Sequence, residues 1–186
     1  MSATGGGTIR QDGNVAIYAL GDLEPSIDPS AYVHPDATVI GNVTIGPEST
    51  VWPGVVLRGD HGRIVIGART SIQDGTVIHT TAQFPTIVGD DCVIGHIVHL
   101  EGCVVEDGSL VGSGSIVLHQ ARVARGALVA AGAVVGNRMV VPERAMALGI
   151  PAKIREGAAS QELITMAAAH YVENGRRFRK DLRRLD

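Results

Sequence analysis

Between Leu57 and Val105 the chain gathers four of its seven histidines, His61, His79, His96 and His99, with Arg58, Asp60, Gln73, Asp74 and Glu101 interleaved among them. Imidazole nitrogens and carboxylate oxygens are the ligands that zinc and related divalent ions take, and two histidines with one glutamate form one of the ordinary catalytic zinc sets. Such chemistry requires residues far apart in this stretch to meet. The elements that position them therefore decide whether a site exists.

Those elements come from a repeat. From Val33 an aliphatic residue returns at every sixth position, Val33, Val39, Ile45, Val51 and Leu57. The register resumes at Ile66, Ile72 and Ile78, at Val88, Ile94 and Leu100, and then runs from Val105 through Val111, Val117, Val123 and Val129 to Val135. A fixed six-residue period marks a parallel β-solenoid, each hexapeptide supplying one short strand and a turn, three of them closing a triangular coil of about 18 residues. Aliphatic residues stack inward, and Gly, Asn and Asp take the corners where positive φ is useful. A helix is excluded over residues 33–135, because a 3.6-residue period does not keep six-residue spacing on one face.

Breaks in the register predict departures from the regular coil. Leu57 to Ile66 is nine residues, which implies a small outward loop at Asp60–Arg63. Ile78 to Val88 is ten, a larger loop at Thr80–Thr86, and Leu100 to Val105 is five, a coil pinched just after Glu101. Beyond Gly136 the repeat dissolves, and Gly149 to Lys153 reads as an extended exit turn. Ser160 then caps a helix from Gln161 to about Asp181, with Gly175 weakening its middle.

The register also assigns neighbours. Leu57, Ile78, Leu100 and Val117 stack on one face, so Arg58, His79 and Glu101, each following an inward residue, form an outward ladder with rungs about 4.8 Å apart. His99 also points outward, diagonal to His79. Ile72 stacks over Ile94 on a second face, with Gln73 and Asp74 on the upper rung and His96 below Asp74 near a corner. One narrow prism does not bring His79, Glu101 and His96 onto one ion, whereas two prisms side by side do. A head-to-tail contact of that kind closes into a ring under cyclic symmetry.

The motifs Leu57-Arg58-Gly59-Asp60, Ser71-Ile72-Gln73-Asp74-Gly75-Thr76-Val77-Ile78-His79 and Ile94-Gly95-His96, followed by Gly102-Cys103, resemble the γ-class carbonic anhydrase family of hexapeptide-repeat proteins over roughly residues 25–155. The resemblance implies a left-handed parallel β-helix, a homotrimer, and a divalent metal, usually zinc with iron or cobalt as alternatives, held between subunits by three histidines. Water on that metal would supply hydroxide for the reversible hydration of carbon dioxide to bicarbonate. His79 and His96 match the first two ligands. The family usually has Leu-His-Gly-Cys where this chain has Leu100-Glu101-Gly102-Cys103, so Glu101 occupies the third ligand position and His99 is its alternative. An anionic ligand makes the ion a weaker Lewis acid. By the same resemblance Gln73 orients or helps deprotonate the water, Arg58 and Asp60 form salt bridges that knit the trimer, and Asp74, within the matching motif beside Gln73, counts among the catalytic residues. Some family members carry an acidic loop for proton transfer, but Thr80 to Thr86 contains no carboxylate.

The bland readings stand beside these. Glu101 could be a salt-bridge partner between His79 and Arg58. His34, His61, His119 and His170 show no partner pattern and read as ordinary polar positions. Two other functions share the repeat: an acyltransferase or thioesterase, and a non-catalytic trimeric binding or assembly protein. Composition narrows the classes. The formal net charge of −3 gives no reason to expect nucleic acid or an anionic membrane as partner. With 24 glycines and 3% aromatics the core must be narrow and aliphatic. Cys92 and Cys103 form no Cys-x-x-Cys pair and read as buried thiols of a reducing compartment. No apolar run reaches the length of a membrane span, so a cytoplasmic location is expected. The expected division is a mobile tail over residues 1–14, a left-handed β-helix domain over 15–155, and a C-terminal helix region over 156–186 that packs on the β-helix.

Overall fold

Strands form wherever the hexapeptide register turns one side chain inward, and most are only two residues long, such as Ser71–Ile72, Val93–Ile94, Leu110–Val111 and Leu128–Val129. The computed structural model describes residues 15–186. The tail expected over residues 1–14 lies outside the described residues. The coils wind left-handed through about seven turns and make a parallel β-solenoid followed by one helix. Its interior is the aliphatic column: Val39, Leu57, Ile78, Leu100, Val117 and Val135 pair in register on one face, and each is fully buried. Burying one such side chain is worth roughly 1.5–3 kcal/mol. The stack therefore fixes which residues share a rung.

The strands form a twelve-stranded and an eight-stranded sheet. The larger covers two faces of the prism, because Val56–Ile66 is long enough to round a corner. Its first half pairs with Val77–His79 and its second half with Thr86–Val88. The outward loop expected at Asp60–Arg63 is instead a bulge inside this continuous strand, between the pairs Gly41↔Gly59 and Val43↔Ile64. Continuity has a physical cause: Ile64 is fully buried and re-enters the core before Ile66 does. Close approach across the corner requires glycine, since a Cβ on Gly59 would stand 2.5 Å from the carbonyl oxygen of Asn42.

The repeat also continues past Gly136, where the sequence reading ended it. Val140–Val141 pairs parallel with Arg122–Val123, Met146–Leu148 with Leu128–Val129, and Val141 and Ala147 are fully buried. Ala147 holds the inward position at six-residue spacing, but its small side chain gives little hydropathy signal. The antiparallel strand Lys153–Arg155 then ends the stack.

The helix spans Gln161–Asp181, with the Ser160 hydroxyl accepting from the Leu163 amide. It runs back along the eight-stranded face, from Gln161, whose amide donates to the Gly126 carbonyl, to Arg179, which donates to the carbonyls of Pro29 and Ala31. Gly175 does not interrupt it. A Cβ there would stand 2.5 Å from the Thr50 methyl, so the glycine lets the helix seat closely. Phe178 meets Trp52 edge-on at 4.9 Å between ring centroids, and Tyr171 meets it from the other side at 5.9 Å. Among the described residues no helix is long and apolar enough to cross a membrane.

Cys92 and Cys103 are fully buried, and that burial pushes both thiols up to about 12. Both are therefore neutral at pH 8, and only a thiolate is an efficient nucleophile. We expect neither to react with an aromatic disulfide reagent at pH 8 in the native protein and both to react after denaturation. Rapid labelling of the native protein would contradict their placement in the column.

Candidate metal centre

The outward ladder follows from strand alternation: Arg58, His79 and Glu101 are direct register neighbours on adjacent rungs. Around His79 the side chains alternate acid and base. Its Nε2 lies 2.9 Å from Asp60 Oδ1, and its Nδ1 lies 2.9 Å from Glu101 Oε1. Arg58 donates to the other oxygen of Asp60. The guanidinium thus pairs with Asp60 rather than with Glu101. The backbone at these rungs is tied by Thr86, a buried residue whose hydroxyl donates to the His79 carbonyl at 2.5 Å and accepts from the Gly102 amide at 2.8 Å.

Glu101 gathers more bases than the sequence reading gave it. His99 Nε2 is 3.3 Å from its Oε2, and His119 Nε2 is 3.6 Å from its Oε1. His61 stands near the other end of the cluster, with Nε2 at 3.9 Å from Asp60 and its ring centroid 6.4 Å from that of His79. Neither His61 nor His119 is an isolated polar position. The register does not give the His119 contact: Val117 pairs with Leu100, which sets Leu118 opposite Glu101 and His119 beside Gly102 at the turn, from where its ring reaches the carboxylate. His61 lies in the bulge, where periodicity carries no information.

Burial opposes charge on both carboxylates, but hydrogen bonds outweigh it. For Asp60 these come from His79, its own backbone amide and Arg58, and for Glu101 from His79 and His99 with the nearby charges of His119 and His79. Both carboxyls are held below the ordinary range and stay ionised at neutral pH.

His96 sits at a corner, followed by Ile97 at φ 57°, the only β-branched residue among the non-glycine residues described with positive φ. Its Nδ1 is 2.9 Å from Asp74 Oδ2, and both side chains are half exposed. Asp74 holds the position above His96 in the register, and Gln73, one residue earlier and buried, stands above Gly95. The loop after Thr80 is closed by a hydrogen bond from the Thr81 amide to the Phe84 carbonyl. It sets Phe84 beside His119, with ring centroids 6.3 Å apart and Gly102 against both.

The structure thus joins Arg58, Asp60, His79, Glu101 and His99 in one cluster, and Asp74 with His96 in another. Among the described residues no three His, Cys, Asp or Glu side chains of one chain converge to hold an ion. The donor types nevertheless fit one. Two ligands of a tetrahedral zinc stand about 3.3 Å apart when its bonds are near 2.05 Å, and the 2.9 Å His79–Glu101 pair is within a few tenths of that. Metal-binding histidines usually give their second nitrogen to a carboxylate, and both His79 and His96 have one to give it to. An ion using both clusters would need His96 from a neighbouring subunit.

Comparison with known proteins bears on the fold and the repeat. The model of the bacterial transferase hexapeptide (six repeats) matches residues 24–59. The chain is 45% identical over 92 residues to γ carbonic anhydrase 1, mitochondrial, of Arabidopsis thaliana, covering 46% of this chain and 34% of that protein. It is 42% identical over 91 residues to the carnitine operon protein CaiE of Escherichia coli, covering 49% of this chain and 46% of that one. The matches thus span a third to just under half the length of these curated relatives. Among solved structures, a Bacillus cereus protein assigned as an acetyltransferase superposes with a TM-score of 0.88 at 33% identity, covering 90% of this chain and 98% of its own. A hexapeptide transferase family protein from Anaplasma phagocytophilum follows at 0.83 and 32%, covering 87% and 96%. Fold and repeat define a hexapeptide-repeat protein. The chain belongs, within that class, to the γ-carbonic-anhydrase-like family.

The cluster has a pH signature. A carboxyl held low in the folded state contributes stability above its unfolded value, near 4.5 for Glu101, and loses it as pH falls through the folded value. The melting-temperature gap between the wild type and Glu101→Gln should therefore be full at pH 6–7 and shrink as pH falls below about 4.5. A gap that widens on acidification would remove Glu101 from the ionised cluster.

Proposed function

We propose that this chain is a metalloprotein that interconverts carbon dioxide and bicarbonate at sites between the subunits of a homotrimer. His79 and Glu101 of one subunit and His96 of its neighbour would hold a divalent ion, zinc foremost, with iron or cobalt as alternatives. The observation that carries the reading is the His79–Glu101 contact at 2.9 Å on adjacent outward rungs, at the positions of the family's ligands. A divalent ion bound there supplies Lewis acidity and activates a water near neutral pH. The chain's own groups do the rest. Asp60 and Asp74 would orient the two rings, Arg58 would steady Asp60, and Gln73, beside Asp74, would orient the water or help deprotonate it. Phe84, from the loop after Thr80 that contains no carboxylate, and His119 stand beside Glu101 and Gly102.

The names of the two structural relatives favour a second reading, acyl transfer, in which one histidine of the cluster acts as general base without metal. Metal dependence separates the two. Protein purified without chelator should carry close to one divalent ion per subunit and hydrate carbon dioxide, and chelation should abolish the activity. Glu101→Gln and His79→Ala should lose the metal, whereas His99→Ala should keep it. Chelator-insensitive consumption of an acyl thioester would favour acyl transfer. A metal-free, inactive trimer, even after reconstitution, would refute the reading and favour a binding or assembly role.

A further inference from the structure

Resting on the reading of a metal site shared between subunits, we infer that Ile97 is the anchor by which one copy of this chain seats on the next. It docks on the neighbour's outward apolar ladder and so brings His96 to that neighbour's His79 and Glu101.

The corner that carries His96 holds a column of left-handed residues, one per coil. Backbone amides of Gly75, Ile97, Gly114 and Gly132 donate to the carbonyls of Pro53, Asp74, His96 and Ser113, which aligns residues 54, 75, 97, 114 and 132. Four of these are glycine, at φ 67–69°, and the fifth is Ile97 at φ 57°. Glycine takes this conformation freely, whereas a β-branched side chain resists it. Packing within the chain does not offset that strain, because Ile97 remains 73% exposed. A Cβ added at Gly114 or Gly132 would meet nothing within 4 Å, so the corner faces open space rather than a core. A strained aliphatic side chain held in the open, in a column otherwise of glycine, calls for a contact outside the chain.

A second copy fits that contact. Among the described residues no three donor side chains of one chain converge on an ion, so the proposed site is incomplete until another copy supplies His96. Successive Cα atoms lie about 3.8 Å apart, so a copy that delivers His96 to His79 and Glu101 delivers Ile97 to the same sheet face. That face offers an apolar ladder. Val56, Val77, Ile116 and Val134 hold the outward position two residues before Arg58, His79 and their successors, with His99 among them turned to Glu101. Val77 is 39% exposed, and contact with Ile97 removes both side chains from water.

The test follows association of the full chain by sedimentation equilibrium, in chelator and with zinc, and zinc affinity across protein concentration. Ile97→Gly matches the rest of the column, so the melting temperature of the dissociated chain should hold or rise while each subunit contact weakens about 10–100-fold. Zinc affinity should fall at low protein concentration and recover where concentration restores the assembly. Val77→Ser should weaken association likewise, whereas Val140→Ser, exposed on the other face of the twelve-stranded sheet, should not. Ile97→Gly that associates as tightly as the wild type would overturn the inference and leave the metal reading standing. Weakened association in a chain that binds no zinc at any concentration would sustain the docking contact and sink the metal reading. A wild-type chain that stays monomeric with and without zinc would overturn both. Val77→Ser decides the contact even if Ile97→Gly does not fold.

Discussion

Everything in this molecule depends on parallel stacking of one inward aliphatic residue per hexapeptide. A strand two residues long has almost no stability of its own. It persists because its inward side chain is sandwiched between the same position of the coils above and below. Val39, Leu57, Ile78, Leu100, Val117 and Val135 illustrate the chain of support, each fully buried and each in register with the next. Since strand side chains alternate, fixing the inward residue also fixes the outward one. His79 and Glu101 touch for the same reason that Ile78 and Leu100 do.

Departures from the repeat are where chemistry enters. A regular prism offers ladders of side chains at one spacing and in one direction, which cannot surround a ring from two sides. The bulge at residues 60–63 breaks that regularity and carries Asp60 to the far nitrogen of His79. The loop after Thr80 breaks it again and brings Phe84 to His119. Between them, buried Thr86 bonds the backbone at His79 and at Gly102. The helix meanwhile occupies the eight-stranded face, where Trp52 and Tyr32 supply the few aromatic contacts that the aliphatic column lacks.

The solenoid was legible because its signal is redundant: a six-residue period repeated across more than a hundred residues survives several breaks. The same period gave the Arg58–His79–Glu101 ladder and the stack of Ile72 over Ile94 with no structural input. What it could not give was the inside of an irregular segment. Asp60 and His61 lie in a stretch with no period, so its continuity as a strand, the burial of Ile64 and the Asp60–His79 contact all escaped. The last coil escaped for another reason, since Ala147 satisfies the packing without announcing itself as hydrophobic. His119 escaped because the register, carried on to Val117, sets Leu118 opposite Glu101 and leaves His119 at the turn beside Gly102.

Glutamate at position 101 has opposing consequences. Burial works against its charge, yet hydrogen bonds from His79 and His99 and the nearby charge of His119 keep it ionised, so the cluster already holds an anion in a partly shielded place. Such an anion draws a dication more strongly than a neutral imidazole would. If an ion were held there, the same negative charge would offset part of its positive charge and leave less to polarise a water or an oxyanion. Asp60 does not add to this damping in full, because Arg58 on its other oxygen balances its charge. On the proposed reading, therefore, position 101 sets affinity and electrophilicity in opposite directions. The three histidines around its carboxylate, His79, His99 and His119, moderate both by sharing its charge.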